Sequence, residues 1–184
     1  MQFAKKKVEK PTDNPWKTLG SKEIYNNPWI QIRQDDIINP AGNAGIYGVV
    51  SFKNKAIGII PVDEEGYIYL VGQYRYTLNE YSWEIPEGGG PMNEAPLEAA
   101  KRELKEELGI EAETECIATI PCTEATGWEF VELHRALHNG PMRFAPDEIV
   151  TGAFFRLEDV KAWIAARPED FASGFRECFK ALKH

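Results

Sequence analysis

One segment of the chain, GGGPMNEAPLEAAKRELKEELGI from Gly88 to Ile110, constrains the fold more than any other. Apolar residues recur in it at three- and four-residue steps, which is the spacing of one helix face. Asn93 is the expected N-cap, and Gly109 suits the left-handed residue that ends a helix. The segment therefore predicts a helix of about three to four turns. Its apolar stripe is expected to pack on a sheet through Leu97, Ala100, Leu104 and Leu108.

Several carboxylates lie beside this stripe. Glu106 and Glu107 follow Glu103 by three and four residues, so each of them repels Glu103 by about 0.2–0.5 kcal/mol. The single guanidinium of Arg102 does not balance them and their acidic neighbours. Hard cations such as Mg²⁺ prefer carboxylate and phosphate oxygens, so a metal site for phosphate chemistry is one explanation. A solvated acidic face is the other.

Nine positions of the segment form a fixed pattern, namely Gly88, Glu94, Arg102, Glu103, Leu104, Glu106, Glu107, Gly109 and Ile110. Average residue frequencies would give all nine by chance about once per 10⁹ start positions, which favours the metal site. The pattern resembles the signature box of the Nudix hydrolases, which cleave a nucleoside diphosphate linked to another group. This resemblance implies an α/β (α+β) fold, a Nudix-type α/β/α sandwich with a mixed sheet.

The resemblance also implies roles for individual residues. Arg102 and Glu106 would be catalytic residues, with Arg102 orienting the glutamates. Glu94 would tie the loop to the helix. The expected cofactor is Mg²⁺ or Mn²⁺, which would support attack of water on one phosphorus of a pyrophosphate. The implied metal ligands are Glu103, Glu106, Glu107 and the backbone carbonyl of Glu87.

The stretch VGQYRYTLNEYSWEIPEGG, which leads into the box, resembles the ADP-ribose and nucleotide-sugar pyrophosphatase branch of the family. Gln73, Arg75 and Glu84 are accordingly expected to bind substrate. The planar guanidinium fork of Arg75 suits a diphosphate, and the alternative for it is a surface salt bridge.

The branch implies metal-dependent hydrolysis of the pyrophosphate bond of nucleoside diphosphate sugars to nucleoside monophosphate and sugar phosphate. ADP-ribose and ADP-, GDP- and UDP-sugars are the candidate substrates. A nucleoside triphosphate or dinucleoside polyphosphate pyrophosphohydrolase is one alternative. A non-catalytic nucleotide-sugar sensor is the other, although a sensor would be expected to have lost the box glutamates.

The loop after the box departs from the branch, which commonly has Ser-Pro-Gly before an acidic residue. When Glu129 is aligned with that acidic residue, Glu124 takes the usual proline position. ADP-ribose and other nucleoside diphosphate sugars are therefore equally plausible substrates. Glu129 is the expected carboxylate that activates water or holds a further metal, and Glu124, Glu132 and Glu148 are the alternatives.

The rest of the chain divides into a flexible N-terminus over 1–14, an N-terminal strand region over 15–45 and the Nudix hydrolase domain over 46–184. Antiparallel strands interrupted at Pro28 are predicted in the strand region, and helices in LEDVKAWIAA and SGFRECFKALKH. The resemblance implies a homodimer formed through the strand region. Trp29 is the candidate for stacking on the nucleoside base, with packing in the dimer core as the alternative.

Composition limits the partners. A net charge of −8 over 184 residues argues against a nucleic-acid partner and favours a small nucleotide-sugar substrate. Cys116, Cys122 and Cys178 contain no CxxC pair, so neither a disulfide framework nor a zinc site is expected, and reduced thiols favour a cytoplasmic protein.

His134 and His138 in one strand would be about 13 Å apart, too far for joint ligation of a metal ion. No apolar run is long enough to span a membrane.

Overall fold

The computed structural model describes residues 13–143 and 149–182. Most of the predicted flexible N-terminus and Glu148 lie outside these residues. The chain divides into two compact units between Lys53 and Asn54. No helix in the described ranges is long and apolar enough to cross a membrane.

The first unit is a three-stranded antiparallel sheet in the order β1-β2-β3. Its strands are β1 (Lys17–Asn26), β2 (Ile30–Ile38) and β3 (Ala44–Phe52). The predicted break at Pro28 is confirmed as the turn between β1 and β2. Asn27 Oδ1 accepts the backbone N–H groups of Trp29 at 2.9 Å and Ile30 at 2.7 Å, so a side chain supplies the acceptor that closes this turn.

The first unit extends further along the chain than the predicted strand region over 15–45. Strand β3 pairs with β2 over its whole length, from Ala44 opposite Ile38 to Phe52 opposite Ile30. These backbone hydrogen bonds place β3 in the N-terminal sheet, whereas the predicted hydrolase domain begins at residue 46. This pairing could not be predicted from the sequence, because the residue pattern of a strand does not specify which other strand it pairs with.

The second unit contains a seven-stranded sheet, in which β10-β5-β4-β9-β8 lie side by side, β6 pairs with β5 and β7 pairs with β4. Strands β4 and β9 are parallel and the other pairs are antiparallel, so the sheet is mixed as predicted. The strands are β4 (Asn54–Val62), β5 (Tyr67–Arg75), β6 (Glu80–Glu84), β7 (Glu87–Pro91), β8 (Thr114–Ile120), β9 (Val131–Leu137) and β10 (Thr151–Arg156).

Within the described part of the chain, three α-helices cover the two faces of this sheet: α1 (Pro96–Leu108), α2 (Leu157–Ala166) and α3 (Ser173–Ala181). Ile57 and Ile59 of β4 pack with Leu104 of α1 in one buried cluster. Ile60 of the same strand packs with α2 and α3 in another cluster, on the opposite face. The two cores confirm the α/β/α sandwich, and β4 is the central strand that fixes the position of α1.

Candidate active site

Helix α1 is held to the sheet by a stripe of small and aliphatic residues. Ala99, Ala100, Leu104 and Leu108 are fully buried. Burial of each leucine side chain is worth about 1.5–3 kcal/mol, so the helix is firmly placed. The predicted stripe is wrong at one position: Leu97 is 37% exposed, and Ala99 takes the buried place in the first turn.

The predicted N-cap is also wrong. The residue before the helix is Ala95, which offers no side-chain acceptor, and Asn93 lies two residues further upstream. The helix begins at Pro96, whose missing N–H group is not needed in the first turn. The C-terminal prediction is confirmed, because Gly109 has φ 65° and its N–H group bonds back to the last turn.

Arg102 links α1 to the preceding loop and to β7. Its guanidinium donates to Glu94 at 3.0 and 3.3 Å, to Glu103 at 2.7 Å, to Glu106 at 2.9 Å and to the carbonyl of Gly89 at 3.0 Å. The hydrogen bond from Arg102 lowers the pKa of Glu94. One side chain therefore sets the positions of three carboxylates on two segments of the chain.

Glu103 lies between α1 and β7. Its side chain is buried, and this burial raises the pKa of the carboxyl although Arg102 donates to it. The carboxyl packs directly on the backbone of Gly88, where an added Cβ would overlap its atoms. Glycine at position 88 is therefore required by the close approach of this carboxylate to β7.

Glu106 and Glu107 continue the acidic side of α1. Glu106 is exposed, with 59% of its side-chain surface accessible, while Glu107 is half-buried. Glu107 lies one helical turn after Glu103, so both project from the same side of the helix. The structure thus places Glu103, Glu106 and Glu107 along one helix, with Glu103 against Gly88.

The predicted substrate residues on β5 and β6 bind one another. Glu84 is fully buried and accepts hydrogen bonds from Gln73 and Arg75. Arg75 also donates to Glu87 at 3.2 Å and keeps 35% of its side-chain surface exposed. Burial raises the pKa of Glu84, and the charge of Arg75 opposes that shift. Gln73 and Glu84 therefore hold Arg75 in place, with part of the guanidinium open to solvent.

Glu87 connects this ion-paired group to the box. Burial raises the pKa of its carboxyl to about 7, with further contributions from the charges of Glu84 and Glu129 and an opposing one from Arg75. Burial also raises the pKa of Glu129. The charge of Glu129 therefore acts on Glu87. Glu87 is next in the chain to Gly88, on which the carboxyl of Glu103 packs.

The loop that carries Glu129 has an unusual backbone. After a 3₁₀ turn over Glu124–Thr126, Gly127 and Trp128 both have φ 64°. A bulky residue rarely adopts this left-handed conformation, and Trp128 is also 65% exposed. Thr126 Oγ donates to the carbonyl of Glu129 at 2.8 Å and secures the loop. The left-handed backbone of Trp128 was not predicted, because no residue pattern in the sequence indicates this conformation for a tryptophan.

The other predicted site residues lie at different places in the fold. Glu129 comes two residues before β9, and Glu124 is exposed at the beginning of the 3₁₀ turn. Glu132 lies within β9, on the face of the sheet opposite that of Val131 and Leu133. Trp29 belongs to the N-terminal unit and is 65% exposed.

The side chains around Arg102 fit a divalent metal ion. A buried carboxylate with a raised pKa lacks a full positive counterpart, and the single guanidinium of Arg102 is shared among Glu94, Glu103 and Glu106. Carboxylate oxygens and a backbone carbonyl are the donors that hard cations prefer. The residues that could hold such an ion are Glu103, Glu106, Glu107 and the carbonyl of Glu87.

Comparisons with known proteins agree with this geometry. The profile of the nucleoside diphosphate sugar hydrolase N-terminal domain matches residues 16–50. A solved structure described as an ADP compounds hydrolase has the same fold, with a TM-score of 0.68 and 16% identity over 94% of this chain and 97% of that one.

Two relatives are named for related substrates. The ADP-ribose pyrophosphatase of Mycobacterium tuberculosis is 32% identical over 103 residues, which are 55% of this chain and 49% of that protein. The ADP-sugar pyrophosphatase of Mus musculus is 29% identical over 121 residues, 59% of this chain and 56% of that protein. The chain thus spans about half the length of the curated relatives it matches.

The NUDIX domain profile matches residues 53–175, which hold the whole second sheet, α1 with its glutamates, all of α2 and the start of α3. Members of this family use divalent metal ions, in keeping with the carboxylates around Arg102. From its profile match, its layered fold and its box, the chain belongs to the NUDIX family.

Proposed function

We propose that this chain hydrolyses the pyrophosphate bond of nucleoside diphosphate sugars to a nucleoside monophosphate and a sugar phosphate. One observation carries the proposal. Arg75 is held by the buried carboxylate of Glu84, is partly open to solvent and also donates to Glu87, which is next in the chain to Gly88 of the box. The box holds the glutamates around Arg102. This joins a cation site to a diphosphate-binding group. The names of the relatives, ADP-ribose and ADP-sugar pyrophosphatase, support this substrate class.

Mg²⁺ or Mn²⁺ is the proposed cofactor, bound by Glu103, Glu106, Glu107 and the Glu87 carbonyl. Such an ion polarises phosphoryl oxygens and makes bound water a better nucleophile. Arg102 keeps the glutamates in register through its hydrogen bonds to Glu103 and Glu106. Because Glu103 packs on Gly88, its carboxylate is held close to β7.

Arg75 and Glu129 are the proposed groups on the substrate side. Arg75 would donate its free N–H groups to the diphosphate, while Gln73 and Glu84 prevent it from turning away. Glu129 would accept the proton of the attacking water. Burial raises the pKa of Glu129, which makes it a stronger base than an ordinary carboxylate once it is ionised.

The N-terminal unit is proposed to form a homodimer and to bind the base through Trp29. Its sheet exposes apolar side chains at Leu19, Ile24, Ile46 and Val50, a number that water-facing strands rarely carry. The exposed indole of Trp29 offers a flat face for a nucleoside base. The charge of −8 opposes a nucleic-acid partner, and three free thiols favour a reducing, cytoplasmic compartment.

A substrate panel tests the proposal. Product release is followed for ADP-ribose, ADP-, GDP- and UDP-sugars, nucleoside triphosphates, dinucleoside polyphosphates and RNA with a 5′-triphosphate, each with Mg²⁺, Mn²⁺ or a chelator. We expect nucleoside diphosphate sugars to be cleaved with metal and not with the chelator.

Other outcomes would replace the proposal with a named alternative. Preference for RNA would point to the activity named for relatives in Bartonella henselae and Hydrogenovibrio crunogenus, which are 36% and 42% identical over about 30% of this chain. Binding of nucleotide sugars without turnover at any metal concentration would indicate a sensor.

A further inference from the structure

A second set of potential metal ligands lies on the sheet, on strands β8 and β9. One ligand atom from each of Cys116, Glu132 and His134 lies within 4.8 Å of the other two. None of the three belongs to the box. Their atoms offer sulfur, oxygen and nitrogen donors, whereas the box offers only oxygen.

Strand geometry explains how the three side chains meet. Glu132 and His134 are two residues apart on β9, so they project from the same face of the sheet. Cys116 pairs with His134 across the β8–β9 ladder, just before a register shift between Cys116 and Ala118. Directly opposite residues of an antiparallel pair have their Cβ atoms about 4.5–5.5 Å apart, which is close enough to share a metal ion.

His134 lacks a partner in this arrangement. Its side chain is 1% exposed, and neither ring nitrogen has a hydrogen-bond partner among the described residues. Burial lowers the pKa of the imidazole, against the smaller influence of Glu132, so the ring is neutral and has a lone pair to donate. A buried imidazole without a partner is unfavourable, and a bound metal ion would satisfy one of its nitrogens.

We propose that Cys116, Glu132 and His134 form a binding site for a transition-metal ion of the zinc class. Thiolate, imidazole and carboxylate are the protein ligands that Zn²⁺ takes in tetrahedral sites. Three protein ligands leave the fourth position for water or another ligand. The exposed thiol of Cys116 on edge strand β8 gives the ion a way in.

This site and the box select different ions. Mg²⁺ does not favour thiolate and imidazole, and zinc-class ions do. The two sites should therefore be separable, and binding at β8–β9 does not depend on turnover by the box. Zinc-class binding here would also link edge strand β8 to β9 and stabilise the folded protein.

Cobalt substitution tests the site in the full chain, kept reduced with a phosphine. Co²⁺ is titrated against wild type, Cys116→Ser and Glu132→Gln, with Cys122→Ser and Glu107→Gln as controls. We expect wild type and both controls to develop a thiolate-to-cobalt charge-transfer band that Zn²⁺ displaces. Cys116→Ser should lack the band, and Glu132→Gln should need at least about tenfold more Co²⁺ to reach half its intensity.

His134 is tested without replacing a buried side chain. The chain has three histidines, so ¹⁵N-histidine spectra give a small set of ring signals, and His138→Gln helps to assign them. Zn²⁺ should shift the His134 signal in wild type and leave it unchanged in Cys116→Ser. The proposal would be overturned if wild type shows no cobalt band, if Cys116→Ser keeps the band or if Cys122→Ser loses it. A His134 signal that does not shift when Zn²⁺ is added would also overturn it.

Discussion

Arg102 is the single residue on which the arrangement of the box depends most. Its guanidinium reaches Glu94, Glu103, Glu106 and the Gly89 carbonyl, and an ammonium cannot reproduce that fork. We expect Arg102→Lys to lower the free energy of unfolding by about 1–3 kcal/mol. Turnover should fall about 10- to 100-fold, because the metal ligands lose their support. Urea denaturation and steady-state kinetics measure the two effects.

Arg135→Lys is the matched control for this substitution. Arg135 pairs with Glu115 on the surface, where 54% and 60% of the two side chains are exposed. Exposed pairs contribute about 0–1 kcal/mol, so stability and turnover should stay near wild type. Equal losses in both arginine variants would contradict a special role for Arg102.

Glu87 gives stability a pH dependence of defined sign. Its pKa is about 7 in the folded protein against an ordinary 4.5, so between these values the folded chain holds a proton that the unfolded chain has released. The free energy of unfolding therefore decreases as pH rises from about 4.5 to 7 and levels off above. Glu87→Gln should remove this part of the decrease.

The measurement is urea denaturation of wild type and Glu87→Gln in chelator at pH 5 and pH 7.5. Wild type should lose more stability than the variant between the two values. Glu65→Gln, in the turn between β4 and β5, should behave as wild type does. If wild type and Glu87→Gln change in parallel, the carboxyl of Glu87 does not carry the shifted proton.

At the scale of elements, the contact between α1 and β7 places the acidic side chains. Gly88→Ala would put a Cβ into the Glu103 carboxyl. Because such overpacking costs about 1–3 kcal/mol, we expect a drop of this size in the free energy of unfolding, together with at least about tenfold loss of turnover. Gly48→Ala in β3 is the control, since nothing lies within 4 Å of its added Cβ. Wild-type turnover by Gly88→Ala would show that Glu103 does not need its place on β7.

The order of the elements was predictable because each has its own periodic pattern and turn residues. Helix α2 follows the predicted LEDVKAWIAA segment residue for residue, and the turn before β5 has Gly66 at φ 84°. The N-terminus of helix α1 was predicted wrongly. Asn93 is a residue type that often caps helices, but the helix begins later, at Pro96. Residue propensity identifies the residues that could begin a helix, and tertiary packing determines where the helix begins.

At the scale of the whole molecule, the site was only partly predictable. The box is one continuous segment, so its glutamates could be named from spacing, whereas Cys116, Glu132 and His134 meet across two strands and a register shift. The ion pairs of Arg75 also depend on which strand lies beside β5. Contacts between distant parts of the chain carry no local sequence signal.

The proposed homodimer is a prediction at this scale. Sedimentation velocity should give twice the chain mass of 20.8 kDa. Ile46→Lys, in the exposed sheet face of the N-terminal unit, should raise the dimer dissociation constant at least about tenfold by burying an unpaired charge. Leu78→Lys alters an equally exposed residue in the second unit and should leave the dimer intact. A monomeric wild-type chain at micromolar concentration would rule the dimer out.

The most direct test of the catalytic metal site is the turnover of Glu107→Gln with a nucleoside diphosphate sugar over a range of Mg²⁺ concentrations. Glu98→Gln is the matched control, because Glu98 lies on the same helix and pairs with exposed Lys101. With both variants folded by circular dichroism, Glu107→Gln should lose at least about 100-fold in turnover, and Glu98→Gln should keep wild-type rates. Wild-type turnover by Glu107→Gln would contradict the assignment of the box as the catalytic metal site.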